Sequence, residues 1–502
     1  AVKQMRLGKI TMHNSSRSAA PLRVLIIGSG FAGLGMAIRL QQAGIEDFLI
    51  LEKAADIGGT WRDNSYPGAA CDVPSHLYSF SFEPKTDWSR KFAPQTEIHA
   101  YMQHCVAKYR LRPRIRCNAE VLSASFDQAA ALWRVTLGNG EELSAALLIS
   151  ACGQLNRPAY PRLPGIEQFQ GEAFHSARWR HDLDLTGKRV AVIGTGASAI
   201  QFVPQIQPQV AELKLFQRSA AYVLSKPDRA YRAWELAVMR RLPWLQRIDR
   251  MLKYIQHETR GLAFISMPWL MKPMRLSFER HLRRHIRDPQ LRAQLQPDYP
   301  MGCKRILISN DYLPALAQAN VQVVGEAISQ VREHSLVTAD GREHPCDVLI
   351  YGTGFTATEF LAPMQIRGLG GRELNQAWRD GAEAYKGISV SGFPNLFILY
   401  GPNTNLGHNS IIYMLESQFR YVLGCIDLLR DQGLRYLDVK ASVQQDYNQW
   451  IQAHSHRTIW EQGCTSWYKT ATGKSTNNWP GYTFAYRHLT RAPELNDYEC
   501  TR

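Results

Sequence analysis

No apolar run in this sequence reaches the ~18 residues that a membrane-spanning helix needs, so no stretch of it reads as an integral membrane segment. Its nine cysteines include no C-x-x-C pair and no zinc-like spacing. That excludes a dithiol redox centre of the disulfide-reductase kind, and no metal site is expected. The scattered set reads instead as reduced thiols in a cytoplasmic protein. No nucleic-acid-binding motif with interleaved aromatics is present. Acidic residues are in deficit: 59 Lys and Arg stand against 44 Asp and Glu, a net +15. The basic residues are spread along the chain rather than packed into a tail, so phosphate-bearing cofactors are the expected partners, not nucleic acid. Residues 1–20 are polar and basic with no apolar segment, and read as a disordered lead-in rather than a secretory signal.

What is present is a duplicated stretch. Val24–Ile27 runs into Gly28-Ser29-Gly30-Phe31-Ala32-Gly33, and Val190–Ile193 runs into Gly194-Thr195-Gly196-Ala197-Ser198-Ala199. Each is a short β-branched run, a Gly-x-Gly-x-x-Gly/Ala turn and the start of a helix. This is the dinucleotide fingerprint: a tight turn, a backbone bare enough to touch a pyrophosphate, and a helix N-terminus aimed at its charge. A single such turn arises by chance, but here the following strands also match. Twenty-four positions beyond Gly28 the next strand ends at Glu52; twenty-four beyond Gly194 the equivalent position is Arg218, beside Ser219. A carboxylate there accepts ribose hydroxyls, whereas an arginine suits a 2′-phosphate. The expectation is FAD on the first turn and NADPH on the second.

The 502 residues suffice for two or three domains. The fold class expected is α/β, with two Rossmann-like dinucleotide-binding domains and a helical insert. Residues 21–156 and 357–502 would form the FAD domain, 157–222 and 303–356 the NADPH domain, and 223–302 the insert. Pro158, Pro161 and Pro164 mark a stiff linker. Strand-like runs at 147–153 and 348–354 are twins, placed where the chain leaves one domain for the other. The loop from Gly58 to Asp72 is long and rich in glycine and aromatics, as functional loops are. The aromatics from Tyr78 to Phe82 pack on a flavin or simply on the core. Residues 99–109 and 411–429 read as helices, and 121–126, 133–137 and 395–401 as strands. The insert is basic and amphipathic, open to two readings, a cap over the active site and a membrane-surface patch; the cap is preferred.

The linker stretch Phe169-x-Gly171-x-x-x-His175-x-x-x-Trp179 resembles the signature of type I Baeyer–Villiger monooxygenases, with Arg180 where those enzymes have Pro or Asp. Gly59-Thr60-Trp61, Tyr66-Pro67-Gly68 through Asp72, and Cys303-Lys304-Arg305 are similar to that family as well. The resemblance spans residues 21–490 and implies a single-component enzyme in which NADPH reduces FAD, a flavin C4a-peroxide forms with O2, and a ketone becomes an ester or lactone. It implies that Arg305 stabilises the anionic peroxide and the oxyanion, with Asp72 holding Arg305 in place. Thr60, Trp61, Asp72, Tyr78, Val121 and Ile411 complete the implied FAD set. Lys304 would join Arg218 and Ser219 on the NADP phosphate, and Trp467 would touch the nicotinamide cofactor. His175 is expected as a hinge residue rather than a proton carrier. The polar segment Gly401–Asn409 leaves linear ketones a reasonable substrate class.

Two rival activities share both fingerprints. One is a flavin monooxygenase acting on amines or sulfides; Trp179 and the Asp72/Arg305 pair favour the ketone enzyme over it. The other is an NADPH oxidase-like flavoprotein that makes peroxide whatever ketone is added.

Overall fold

The computed structural model describes residues 22–461, 463, 468–470 and 472–501. The expected lead-in 1–20 and Trp467 lie outside the described residues.

Two sheets organise the chain. In the first, Leu22–Ile27 lies between Phe48–Leu51 and Glu142–Ser150, parallel to both. Leu396–Ile398, far along the chain, also pairs parallel with Glu142–Ser150. An antiparallel meander of Val121–Asp127, Leu132–Leu137 and Glu142–Ser150 extends this sheet, and Gln365–Arg367 closes its edge. The second sheet has five strands, all parallel, in the order Val321–Val324, Glu212–Phe216, Arg189–Ile193, Val348–Tyr351, Glu172–His175. Central strands are buried on both faces, as 24–27 and Val348–Tyr351 are, which is why they read as continuous rather than alternating apolar runs.

Helices cover the faces. Phe31–Gln42 and Ile411–Asp431 pack together over the first sheet, sharing a core with Leu34, Ile38, Leu415 and Phe419. Ala199–Ile206 covers the second through Ile200, Phe202, Val203 and Ile206. The Gln95–Lys108 helix starts earlier than the apolar pattern predicts, because its first turn is polar and only Pro94 marks its start. The three-stranded antiparallel sheet at 328–345 and the pairing of Tyr436–Val439 with Tyr498–Thr501 carry no expectation from sequence. Both are made of short strands.

Residues 223–302 form helices Ala233–Arg241, Pro243–Ile265 and Met271–His285. They pack on the second sheet's core, with Phe278 5.0 Å from the Tyr222 ring. They also reach the first half: Arg250 Nη1 donates to the His76 and Ser79 carbonyls at 2.8 and 2.7 Å. Asp249 lies 2.7 Å from His76 Nδ1.

One expectation is corrected. Seven described cysteines are free thiols, but Cys303 is disulfide-bonded. No other cysteine stands within forty residues of it, so no spacing motif signals the pairing.

Candidate active site

Gly28 ends its strand at φ +104° and Gly194 ends its strand at +108°, both in the left-handed region that a side chain opposes. A Cβ on Gly33 would stand 1.9 Å from the Gly28 carbonyl oxygen, so turn and helix touch without a spacer. The outer faces of the turns are bare. A Cβ on Gly30 would meet nothing nearer than 3.9 Å, and one on Gly196 nothing nearer than 4.0 Å. A Cβ on Gly153 or Gly354, which follow the twin strands, would meet nothing within 4 Å. These are cradles into which a pyrophosphate fits, each beside a helix N-terminus. Ser198 and Ala199 open the second helix, and Thr195 Oγ1 donates to the Ser219 carbonyl at 3.2 Å.

The strand-end residues differ in state. Glu52 is buried beside the first turn. Its Oε2 accepts from Ser29 N at 3.1 Å and Ser29 Oγ at 2.6 Å; its Oε1 accepts from Ala54 N at 3.0 Å and pairs with Arg62 at 3.1 Å. It therefore ties the turn to the strand end. Arg218 is exposed, and Lys304 Nζ donates to Ser219 Oγ at 3.1 Å. Lys304 also lies 4.3 Å over the Tyr299 ring. Burial, and then the charge of Arg218, pull the Lys304 ammonium below its ordinary range. Neither cation forms an ion pair among the described residues, the state expected of residues waiting for an anion.

The loop from Gly58 to Asp72 passes from the first turn to the second unit. Gly58 N donates to the Ser29 carbonyl at 3.1 Å, which folds the loop back over the turn. Thr60 opens the short Thr60–Asp63 helix. Trp61 Nε1 donates to Tyr78 Oη at 3.0 Å, and the two rings meet edge-on at 5.6 Å. Further on, Tyr66 Oη donates to Gln201 Oε1 at 3.0 Å, and Gln201 Nε2 donates to the Ala70 carbonyl at 2.9 Å. Gln201 sits on the Ala199–Ile206 helix, so the loop is pinned to the second unit just before Asp72.

At that seam Arg305 Nε and Nη2 both donate to Asp72 Oδ2, at 3.0 and 2.5 Å. The two side chains stay 32% and 30% exposed, so the pair is reachable. Among the described residues Arg305 Nη1 has no hydrogen bond. Burial works against ionising Asp72, but the charge and hydrogen bonds of Arg305, helped by Lys226, hold its carboxyl below the usual range. The charge of Asp72 outweighs burial and raises Arg305 further. Burial pushes the Tyr400 phenol up while Arg305 pulls it back. The site is a permanent cation held rigidly where the two nucleotide units meet. It offers a hydrogen-bond donor to an anion or oxyanion.

Residues 21–365 match the family described as flavin-binding monooxygenase-like. A Baeyer-Villiger monooxygenase of Pseudomonas aeruginosa is 49% identical over 486 residues, 96% of this chain and 92% of that one. The chain belongs to this family, among its Baeyer–Villiger monooxygenases. Among solved structures, an oxidised steroid monooxygenase bound to NADP aligns with a TM-score of 0.86 at 29% identity, covering 96% of this chain and 100% of that one. The complex of OTEMO with FAD and NADP aligns with a TM-score of 0.86 at 27% identity, covering 96% and 99%.

The linker signature of this Baeyer–Villiger chain has a packing reason at each position. A Cβ on Gly171 would stand 2.4 Å from the Asp347 carbonyl and 2.6 Å from the Phe169 ring. Trp179 meets the Phe174 and Phe202 rings, each at 5.3 Å. His175 is fully buried. Its Nδ1 accepts from Ala177 N at 3.0 Å, and its ring meets Tyr160 at 5.4 Å and Phe355 at 5.8 Å, one on each chain crossing. Burial lowers its pKa, which favours the neutral ring at the crossings. Arg180, the departure from the signature, pairs with Asp182 and Glu172 at the surface.

The remaining expected residues lie further out. Val121 starts a strand and is buried in the first sheet's second core layer, two residues beyond Ala119, whose N donates to the Glu52 carbonyl at 2.9 Å. Ile411 opens the Ile411–Asp431 helix, capped by Ser410. Sequence reasoning misses Lys226, Tyr400 and Gln201. Lys226 sits in a Ser-Lys-Pro-Asp turn like many others, and nothing in its spacing points to Asp72. Tyr400 follows a recognised strand, at φ +57°, and its Oη donates to Asn405 Oδ1 at 2.6 Å.

Proposed function

We propose that this chain is an FAD- and NADPH-dependent monooxygenase that inserts one oxygen atom of O2 beside a ketone carbonyl, giving an ester or lactone and water. The observation that carries the reading is the Asp72–Arg305 pair at the seam of two bare nucleotide turns. FAD, reduced by NADPH, supplies the activated oxygen when bound. The Gly28–Gly33 turn with Ser29 and Glu52 holds FAD, and Thr60, Trp61 and Tyr78 shape its ring site. Gly194–Ala199 holds the NADPH pyrophosphate, while Arg218, Ser219 and Lys304 take its 2′-phosphate. On this reading 21–156 and 357–502 form the FAD domain, 157–222 and 303–356 the NADPH domain, and 223–302 the insert. The ketone is a small molecule, and the enzyme works in the cytoplasm.

The work of Arg305 follows from its geometry. Its charge is permanent, because an arginine beside a carboxylate does not lose its proton in any physiological range. Among the described residues Nη1 has no hydrogen-bond partner, so an anion formed next to the guanidinium is stabilised and the carbonyl oxygen is met by a cation as charge develops on it. Asp72 compensates the half-buried charge and fixes the plane of the fork.

Arg305→Ala tests the assignment. The variant is expected to bind FAD and to accept electrons from NADPH, while ester formation falls by about 100-fold or more, the range for loss of one oriented charge donor. Flavin bleaching in the stopped flow, run beside product analysis, separates the two. Ester formation near the wild-type rate would remove Arg305 from the chemistry.

A further inference from the structure

Over residues 243–258 the Pro243–Ile265 helix turns polar side chains inward and apolar ones outward, while its last turns bury Ala263 and Phe264. Gln246 is fully buried, Arg250 is spent on the His76 and Ser79 carbonyls, and Glu258 accepts from Asn409 Nδ2 at 2.6 Å, Thr483 N at 2.6 Å and Thr483 Oγ1 at 2.7 Å. Its apolar side faces out. Trp244, Ile248, Met251, Leu252 and Ile255 recur at helical spacing along one face and are between 39% and 56% exposed. The flanking segments add Trp234 at 61% and Trp269 at 63% exposure. A helix of a monomeric globular protein presents the opposite arrangement, and a contiguous exposed apolar face marks a contact surface.

Charge selects what covers it. Residues 223–302 hold sixteen Lys and Arg against seven Asp and Glu, so this stretch carries +9 of the chain's +15. Two of the seven acids, Asp249 and Glu258, are spent on inward partners. Arg240, Arg241, Arg247, Lys272 and Arg275 are exposed. A second copy of the chain would bring the same excess of positive charge to the contact. Nucleic acid would answer the cations and leave the tryptophans in water. An anionic lipid surface answers both, with the apolar stripe in the acyl boundary and the cations at the headgroups. Among the described residues no helix is long and apolar enough to cross a membrane, so the contact is with one leaflet.

We propose that the outer face of the Pro243–Ile265 helix, with its tryptophan-bearing flanks, docks the enzyme on anionic lipid bilayers.

Vesicle flotation of the FAD-loaded enzyme tests this. It compares phosphatidylcholine vesicles with vesicles containing about 30% phosphatidylglycerol, at low salt and at about 0.5 M salt. The enzyme is expected to float with the anionic vesicles at low salt and to be released at high salt. Ile248→Glu/Leu252→Glu should lower capture about tenfold or more, while its flavin absorbance and its NADPH turnover in solution stay as in wild type. Arg240→Ser/Arg241→Ser, which leaves the apolar stripe intact, should also weaken capture. Absence of capture at low salt overturns the proposal. So does capture that the Ile248/Leu252 variant leaves unchanged, which means charge acting alone. A concentration-dependent dimer lost in that same variant, with no vesicle binding, would assign the face to a second copy instead.

Discussion

Arg218 and Arg305 are both arginines near a nucleotide turn, yet they carry different assignments because their partners differ. Arg305 is neutralised by Asp72 at 2.5 Å, and its Nη1 has no hydrogen bond among the described residues. Arg218 has no carboxylate partner among the described residues and stands with Ser219 and Lys304. Arg218→Ala should therefore weaken NADPH by about 10-fold or more while changing NADH little, since a charge-assisted phosphate contact is worth ~1.5–3 kcal/mol. Steady-state KM values for the two cofactors decide it, and equal losses would contradict the 2′-phosphate assignment. At this scale the sequence was readable wherever a residue's place follows from counting along a strand–turn–helix unit. Glu52 and Arg218 both fall where a twenty-four-residue spacing puts them. Lys226, Gln201 and Tyr400 were not readable, because they reach Asp72, its loop or Arg305 only through tertiary folding.

The elements show the same division. Long β-branched runs and the 411–431 helix announce themselves through period and burial, and both appear with ends within a few residues of those expected. Short strands do not, and one of them carries an unexpected buried acid. Asp438, in the Tyr436–Val439 strand, accepts from Gly392 N at 2.9 Å. Burial nevertheless pushes its pKa up to about 7. The folded protein thus keeps a proton that the unfolded chain releases near pH ~4. The stability this residue contributes is full below that pH and is lost as pH rises through about 7. Asp438→Asn, which keeps the shape and cannot ionise, should gain in melting temperature relative to wild type as pH goes from ~4 to ~8, by the equivalent of roughly 1–3 kcal/mol. Thermal unfolding of the two proteins across that range measures it. A difference independent of pH would show that Asp438 is ionised in the fold. The insert helix was readable as amphipathic, but not which face it buries, because that depends on carbonyls of the 76–79 loop that receive Arg250.

Across the whole molecule, two dinucleotide units built alike are joined by a loop, a linker and a returning strand, and the Asp72–Arg305 pair lies where they meet. The duplication was legible because each unit repeats a local pattern, and Leu396–Ile398 joins the first sheet. The pinning of the Tyr66–Asp72 loop to the second unit by Gln201 was not, since a glutamine on a helix has no distinctive spacing. If that pin sets Asp72 and so Arg305, Gln201→Leu should leave NADPH consumption nearly intact and raise the share of it that ends as hydrogen peroxide severalfold. Peroxide and ester assayed on the same turnover report this, and an unchanged ratio would make Gln201 a packing residue only.

The central claim is oxygen insertion into ketones at the Asp72–Arg305 seam. The most direct test supplies the purified enzyme with NADPH, isotopically heavy O2 and a panel of linear ketones, cyclic ketones, sulfides and amines, and reads the products by mass spectrometry. The account predicts esters or lactones carrying one heavy oxygen atom, reduced by about 100-fold or more with Arg305→Ala. Sulfoxides or N-oxides alone, or hydrogen peroxide alone whatever ketone is present, would contradict it.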